Sequence, residues 1–208
     1  MRVLITGGLG FLGHALTCQL VAGGHEAVVL SSRPGAESPL EGVQVVHADI
    51  RDRDTLTQTL LAAAPDGVCH LAALTRVRDS FAAPLAYYDV NVGGTASLLH
   101  ALTDLAPLPV VFASTGAVYG VCEGRIGEHW PTLPTNPYGA SKLAAEQLLA
   151  YHAETGAIAA VTLRCFNVSG AAGGVGDGDT TRIIPKAVAV AAGRADMLGI
   201  KWRRFSSP

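Results

Sequence analysis

Short apolar runs alternate with longer segments of helical periodicity along most of the chain. The apolar runs predict buried strands at Arg2–Thr6, Glu26–Leu30, Val43–Val46, Val68–Leu71, Val110–Ser114 and Ile158–Leu163. Between them, apolar residues that recur every three or four positions predict helices at Phe11–Gly23, Asp52–Ala63 (with Asp52 as the cap), Gly94–Leu105 and Tyr138–Glu154. Strands that alternate with helices are typical of βαβ units. The sequence therefore predicts an α/β fold with a doubly wound parallel sheet of the Rossmann type.

Two of these helices also indicate which of their faces is buried, because apolar side chains three or four positions apart lie on one side of a helix. The side chains predicted to face inward are Leu12, Leu16 and Leu20 in the first helix and Leu56, Leu60 and Ala63 in the second.

The composition fits a compact domain of low charge and excludes several classes of protein. Of the 208 residues, 49% are apolar and 15% are charged, which suffices for one domain or a little more. The 15 basic and 17 acidic residues give a formal net charge of −2, so the basic excess that nucleic-acid binding requires is missing. The mean hydropathy is +0.33, yet no run of about 18 apolar residues predicts a membrane span. Gly7 interrupts the N-terminal run too early for a signal peptide.

Cysteines and histidines indicate neither a metal site nor a disulfide framework. The four cysteines are far apart and form no Cys-x-x-Cys pair, and none of the seven histidines has another four positions away. We therefore expect no bound metal. Free thiols fit a reducing compartment, so we expect a cytoplasmic protein.

A glycine cluster follows the first predicted strand and opens the first predicted helix. It reads Gly7-Gly8-Leu9-Gly10-Phe11-Leu12-Gly13. Glycines let the backbone approach a pyrophosphate, and the unpaired amides and positive dipole end of the helix attract its charge. In this strand–turn–helix context the cluster predicts dinucleotide binding.

The end of the second strand leaves the choice between NAD and NADP open. NAD-binding units usually place an acidic residue there, on the ribose 2′-hydroxyl, whereas this chain reads Leu30-Ser31-Ser32-Arg33. Without a carboxylate a 2′-phosphate is not repelled, and Arg33 is able to pair with one or to be a solvated loop residue. Asp49, after the third strand, is a candidate acceptor for the adenine amino group or a residue of the helix entry.

A tyrosine and a lysine four residues apart open the last predicted helix, after a long loop over Tyr119–Pro137. Tyr138 and Lys142 share one helix face. A nearby cation stabilises phenolate and so lowers a tyrosine pKa, which favours a base for an alcohol hydroxyl. Ser114 and Thr115 end the preceding strand, where open α/β sheets bind ligands. Either hydroxyl is a candidate partner of the same substrate oxygen.

Six segments, in chain order, resemble those of the extended short-chain dehydrogenase/reductase superfamily. They are the glycine cluster, His70-Leu71-Ala72-Ala73, Asn91-Val92-Gly93-Gly94-Thr95, Phe112–Gly120, Asn136–Lys142 and Leu163–Ala171. Within that superfamily the chain is similar to the NAD-dependent epimerase/dehydratase family, and in particular to its UDP-glucose 4-epimerases.

The resemblance implies an activity, the epimerisation of a nucleotide sugar such as UDP-glucose or UDP-galactose with NAD as cofactor. Tyr138 would take the proton of the sugar 4-hydroxyl, Lys142 would hold the nicotinamide ribose, and Thr115 would bind the hydroxyl. A hydride would leave C4, giving a transient 4-keto sugar that turns over and takes the hydride back. Phe166 and Asn167 would lie against the substrate, with Asn167 at its diphosphate. The implied cofactor residues are Gly7, Gly10, Phe11, Leu12, Gly13, Ser31, Arg33, Asp49, Ile50, Leu71, Ala72, Ala73, Asn91, Ser114, Tyr138 and Lys142.

Three alternatives remain beside this interpretation. Ser31 and Arg33 are compatible with an NADP-dependent reductase or dehydrogenase of a nucleotide sugar. A dehydratase is the weakest, because that subfamily adds an acid–base pair after its threonine, where this chain has Gly116 and Ala117. The third is a dinucleotide-binding chain that turns over poorly.

The third alternative comes from the predicted domain organisation. We expect a cofactor domain over residues 1–165 and, over 166–208, the start of a truncated substrate-binding region. Lys201–Pro208 has no strand or helix pattern. The resemblance also suggests a homodimer formed through the helices at Gly94–Leu105 and Tyr138–Glu154.

Overall fold

The structure, a computed structural model, describes residues 1–103, 105 and 107–197. The chain divides into two compact units, Met1–Val168 and Ser169–Pro208. The tail Lys201–Pro208, for which the sequence predicts no element, lies outside the described residues. The domain boundary expected after residue 165 stays a prediction.

The first unit contains one six-stranded parallel sheet in the order β3-β2-β1-β4-β5-β6. Its strands are β1 (Arg2–Thr6), β2 (Glu26–Ser31), β3 (Gln44–His47), β4 (Gly67–His70), β5 (Leu108–Thr115) and β6 (Ile158–Cys165). Its helices are α1 (Phe11–Ala22), α2 (Arg53–Ala63), α3 (Val77–Ala82), α4 (Pro84–Tyr88), α5 (Gly94–Thr103) and α6 (Pro137–Glu154). The predicted α/β class and parallel sheet are confirmed.

Helices cover both faces of this sheet, because the central strands are apolar on both sides. In β1, Leu4 belongs to a core cluster that α2, α5 and α6 complete. The alternate residues Val3 and Ile5 belong to a second cluster, against which α1 packs. The period-two alternation of one strand therefore supplies both cores of a doubly wound sheet.

The predicted buried face of α2 is confirmed. Leu56, Leu60 and Ala63 are buried, and the Asp52 carboxylate caps the helix by accepting the Thr55 amide at 3.1 Å.

The predicted leucine stripe of α1 is only partly correct. Leu16 and Leu20 pack against the second cluster but stay partly exposed, whereas Gly13, His14 and Thr17 are the buried residues of this helix. Thr17 donates to the Gly13 carbonyl at 2.8 Å. A glycine at the first turn allows the helix to approach the sheet closely, so the small side chains face inward.

Sequence periodicity missed the elements between β4 and α5. The helices α3 and α4 are six and five residues long and lead into a π-helical turn at Asp89–Gly93. Elements this short do not show a period of 3.6 residues. The one local signal is Pro84 at the first position of α4, where proline is favoured.

The second unit contains a two-stranded antiparallel ribbon and one helix. The ribbon pairs β7 (Ala171–Ala172) with β8 (Val175–Gly176), and the helix α7 spans Ile183–Ala191. Over the part of the chain that the structure describes, no helix is both long enough and apolar enough to cross a membrane.

Two adjacent glycines give a direct test of the packing that joins α5 to the sheet. A Cβ on Gly94 would lie 2.5 Å from Cδ1 of Ile50, whereas one on Gly93 would meet no atom closer than 3.8 Å. Ile50 is buried, so it cannot move aside freely. We expect Gly94→Ala to lower the free energy of unfolding by roughly 1–3 kcal/mol and Gly93→Ala to leave it unchanged or raise it by up to about 1 kcal/mol. Urea unfolding of the two variants measures both, and equal stabilities would contradict this packing.

Candidate active site

The predicted site residues lie at the carboxyl ends of neighbouring strands. β1 and β4 are adjacent although four elements (α1, β2, β3 and α2) separate them in the chain, so the strand order reverses between them. Open α/β sheets bind ligands at such a switch point. The loops that follow β1, β4 and β5 meet there.

The glycine cluster is packed at backbone contact, which explains its composition. Gly7 has a φ of +71°, and a Cβ on it would lie 2.8 Å from the amide nitrogen of Ala72. A Cβ on Gly13 would lie 2.4 Å from the Gly7 carbonyl oxygen, and one on Gly8 would meet the Val29 side chain at 2.7 Å. The loop after β1, the first turn of α1 and the loop after β4 therefore fit together only with glycine at these positions.

The first turn of α1 is able to bind an anion. Gly10 is its N-cap, and among the described residues no side chain caps this end. The turn also contains no acidic residue. Its amides and the positive end of the helix dipole are therefore available to a phosphate.

A buried chain of hydrogen bonds starts at the end of β1. Oγ1 of Thr6 accepts from the amides of Leu71 and Ala72, each at 3.1 Å, so its own proton goes to Nδ1 of His70 at 2.7 Å. Nε2 of His70 then carries the ring proton and donates it to Oγ1 of Thr95 at 3.0 Å. Thr95 donates onward to the carbonyl of Asn91 at 2.6 Å.

This chain fixes His70 as a neutral ring with one tautomer. Its side chain is 1% exposed and stacks on Phe112 with ring centroids 5.5 Å apart. Burial, followed by the nearby Lys142 ammonium, lowers the pKa of His70 to about 3. The imidazole therefore serves as an uncharged link through the physiological pH range.

The predicted cofactor residue Asn91 links the loop after β4 to α6. Its Oδ1 accepts the Leu74 amide at 2.8 Å, and its Nδ2 donates to the Leu74 carbonyl at 3.1 Å and to Oγ of Ser141 at 2.9 Å. Ser141 donates in turn to the carbonyl of Tyr138 at 2.8 Å. Both amide protons of Asn91 are thus used within the protein, and direct contact of this residue with a cofactor stays a prediction.

Ser31 and Arg33 lie beside the glycine cluster. Ser31 is buried, and its hydroxyl oxygen accepts the Arg33 amide at 3.2 Å. The Arg33 guanidinium reaches the carbonyl of Leu9 at 3.4 Å, which brings a positive charge to the glycine loop.

Asp49 forms an ion pair and does not cap a helix. Arg51 binds its two carboxylate oxygens through Nε at 3.0 Å and Nη2 at 2.7 Å, and it also pairs with Asp89 at 2.9 Å. The side-chain hydrogen bond from Arg51 lowers the pKa of Asp49. Asp52, not Asp49, caps α2, but Asp49 lies in the turn that leads into this helix, where its Oδ1 accepts the Arg51 amide at 2.9 Å. The neighbouring Ile50 is buried in the core.

Thr115 and Tyr138 lie on two turns that pack together. Oγ1 of Thr115 accepts the Ala117 amide at 3.1 Å and so caps a 3₁₀ turn at Gly116–Tyr119. The first turn of α6 packs against this turn, since a Cβ on Gly139 would lie 2.7 Å from the Ala117 carbonyl oxygen. Asn136 caps α6 by accepting the Gly139 amide at 2.8 Å.

Lys142 is almost fully buried one turn after Tyr138. Its side chain is 2% exposed, and Nζ lies 3.9 Å above the centroid of the Phe112 ring. Burial lowers the pKa of Lys142 to about 7, against a smaller opposing effect of the Glu146 carboxylate. The site therefore contains an ammonium that changes charge near neutral pH.

The predicted substrate residues Phe166 and Asn167 are exposed. Phe166 stacks on Tyr119 with centroids 6.4 Å apart. A Cβ on Gly116 would lie 2.7 Å from the Phe166 ring. Phe166 thus lies beside the 3₁₀ turn that follows Thr115.

Comparison with known protein families shows which family the chain belongs to. Residues 3–201 match the NAD dependent epimerase/dehydratase family. The chain belongs to this family.

Its relatives include UDP-glucose 4-epimerases. That of Streptomyces lividans is 37% identical over 216 residues, which cover 100% of this chain and 65% of the relative. The Brucella ovis UDP-glucose 4-epimerase in complex with NAD has 40% identity and a TM-score of 0.86, covering 95% of this chain and 62% of its own. The Bifidobacterium longum enzyme in complex with NAD+ and UDP has 31% identity and a TM-score of 0.81, covering 94% and 63%. The chain thus spans less than two thirds of the length of these family members.

The sequence analysis assigned no individual role to several residues that build this site. Thr6 and His70 anchor the buried hydrogen-bond chain. Position 8 must be glycine because a Cβ there would lie 2.7 Å from the Val29 side chain. Glu146 and Arg164 form a partly buried ion pair beside Lys142. Glu146 stands four residues after Lys142, which is the one signal for it in the sequence.

The buried charge of Lys142 predicts a pH-dependent stability. Because its pKa falls from 10.5 to about 7 on folding, the unfolded chain holds more protons between these values. The cost of burial is therefore complete below pH 7 and is relieved as the pH rises toward 10.5. We expect Lys142→Met to raise the free energy of unfolding by roughly 2–4 kcal/mol near pH 6 and by less near pH 9. Urea unfolding at both pH values measures this, and an equal gain at both would contradict the assignment.

Proposed function

We propose that this chain contains the cofactor-binding and proton-transfer parts of an NAD-dependent epimerase that interconverts UDP-glucose and UDP-galactose at C4. The observation that carries the proposal is that Tyr138 and Lys142 lie on the first turns of α6, which packs against the 3₁₀ turn that follows Thr115 at the end of β5. The names of its relatives, including NAD complexes, support the same activity.

The residues present fit a bound NAD. The glycines at positions 7 and 13 let the loop after β1 pack at backbone contact against the loop after β4 and the first turn of α1. The uncapped start of α1 offers amides to the charge of a pyrophosphate. Ser31, Arg33, Asp49 and Ile50 would line the adenosine half. The loop at Leu71–Ala73, together with Ser114, Tyr138 and Lys142, would line the nicotinamide half.

The chain's own residues would handle the proton. Tyr138 would accept the proton of the sugar 4-hydroxyl and later return it, while Thr115 holds that oxygen. The Lys142 ammonium would favour the phenolate form of Tyr138 and bind the ribose beside it. Bound NAD would supply the reversible hydride acceptor for C4, which allows a transient 4-keto sugar to take the hydride back on its other face.

The surroundings of Gly116 disfavour a dehydratase. Elimination of water needs a proton donor for the leaving hydroxyl, and Gly116 and Ala117 supply none. An acidic side chain at position 116 would also overlap the Phe166 ring, which lies 2.7 Å from the position of a Cβ there.

A nucleotide-sugar reductase or dehydrogenase using NADP is the second candidate, favoured by Arg33 beside the glycine loop. We expect NAD to bind more tightly, because the similar solved structures include NAD complexes. Calorimetry with both cofactors decides between them. Arg33→Ala should weaken NADP binding about tenfold and change NAD binding little. Equal or tighter NADP binding by the unmodified chain would favour the reductase.

The activity itself is tested with UDP-galactose and catalytic NAD. We expect UDP-glucose to form without net NADH, and Tyr138→Phe to lower kcat by roughly 10²–10⁴-fold because the proton acceptor is lost. Tyr151→Phe is the matched control, since Tyr151 is 69% exposed at the other end of the same helix. Stoichiometric NADH would indicate a dehydrogenase instead.

A third candidate is a chain that binds dinucleotide and turns substrate over poorly. It is favoured by the exposure of Phe166 and Asn167, the two predicted substrate contacts. In the same assay, calorimetric NAD binding without UDP-glucose formation would support it.

The proposal includes a homodimer and a cytoplasmic location. Helices α5 and α6 are the expected interface. Tyr151 on α6 is 69% exposed, and Phe81 and Leu85 are exposed on the neighbouring α3 and α4.

The four cysteines are free thiols, as expected in a reducing compartment.

A further inference from the structure

A buried carboxylate that the proposed proton transfer does not use lies one helical turn after Lys142. Glu146 is 8% exposed and accepts a hydrogen bond from Oγ of Ser114 at the end of β5. Its two oxygens also accept from Arg164 on β6, from Nε at 3.1 and 3.2 Å and from Nη2 at 2.8 Å. The carboxylate thus joins two strands to the helix that contains Tyr138 and Lys142.

Arg164 extends this arrangement to the long loop before α6. Its Nη1 donates to Oη of Tyr119 at 3.0 Å and to the Glu128 carbonyl at 3.2 Å, and the guanidinium lies 4.9 Å from the centroid of the Tyr119 ring. The Glu146 hydrogen bond raises the pKa of Arg164, so the guanidinium stays charged.

Stability alone does not explain such a pair. Taking two charges out of water costs about as much as their attraction returns, and apolar replacements of buried pairs are often neutral or stabilising. A carboxylate held in place by three donors is instead suited to present a fixed negative charge to a neighbour.

Among the residues that the structure describes, none forms a salt bridge with the neighbouring Lys142. Residues four apart share a helix face, and the Glu146 carboxylate acts on Lys142 in the direction that favours its ammonium. The other titratable or charged groups that face Lys142 are Tyr138 on α6, His70 on β4 and Cys165 on β6, with Arg164 behind Glu146. His70 is neutral, so Glu146 is the fixed negative charge among them.

We propose that Glu146 is a positioning residue that holds Ser114 against α6 and favours the charged form of Lys142, one turn after Tyr138. Arg164 fixes the carboxylate in the orientation that does both. The inference rests on the proposed function insofar as it assigns Lys142 a role in proton transfer. The charge effect on Lys142 is a property of the free protein.

The test is the titration of Lys142 in the whole chain without cofactor or substrate. The sequence contains three lysines, Lys142, Lys186 and Lys201, so their side-chain signals in a ¹³C,¹⁵N-labelled sample are assigned by single Lys→Arg variants. We expect Glu146→Gln to lower the midpoint of the Lys142 titration by about one pH unit and to leave Lys186 unchanged. Glu154→Gln removes the same charge from the exposed end of α6 and should move neither.

A second variant covers the possibility that Glu146→Gln leaves the Arg164 guanidinium without its counter-charge and so unfolds the chain. Glu146→Gln combined with Arg164→Gln removes both charges, and we expect the Lys142 midpoint to fall in it too, because of the two groups it is the carboxylate that acts on Lys142. An unchanged midpoint in a folded variant would overturn the proposal. Loss of folding in both variants, judged by circular dichroism, would assign Glu146 a structural role and would also overturn it. Because no substrate is present, failure here is distinct from an absence of epimerase activity.

Discussion

The desolvation of one ammonium group is the constraint around which this site is arranged. Lys142 is 2% exposed, and a charge so far from water is unfavourable unless its surroundings favour it. The face of the Phe112 ring lies against the ammonium, and Glu146 supplies a negative charge one turn away. Because His70 is already neutral, it adds no repulsion. The balance leaves Lys142 close to its point of titration, where a bound ligand that touches it is able to change its protonation.

A second arrangement connects the two halves of the proposed site. Hydrogen bonds run without interruption from Thr6 through His70, Thr95, Asn91 and Ser141 to the carbonyl of Tyr138. One end holds the loop that packs against Gly7, and the other ends in the first turn of α6. In a low-dielectric interior, a chain in which every donor has an acceptor holds one geometry, since any displacement leaves a polar group unpaired. The cofactor loop and the proposed base are thereby fixed relative to each other before a ligand binds.

The sequence predicted the sheet well because buried parallel strands are continuous apolar runs, and β1 was predicted with both of its ends. It predicted the capped helix α2 because Asp52 is a local signal. Sequence-based prediction failed where contacts between residues distant in the chain determine which side chains are buried or paired. The inward face of α1 follows from the fit of Gly13 against Gly7, a contact that hydrophobic periodicity does not contain. Glu146 and Arg164 stand 18 residues apart, and only the adjacency of α6 and β6 reveals that they pair.

The motifs named candidate site residues, whose contact with a ligand stays a prediction, but they did not show which protein groups these residues bind. Asn91 was predicted to bind the cofactor, yet its amide protons go to Leu74 and Ser141. Glu146, which no motif singled out, contacts Ser114 directly and adjusts the charge of Lys142. The exposed end of the site, at Phe166, is bounded on one side by Gly116, where any larger side chain would displace the ring. Gly116 therefore leaves room for the aromatic side chain and, having no side chain, offers no proton donor at this position.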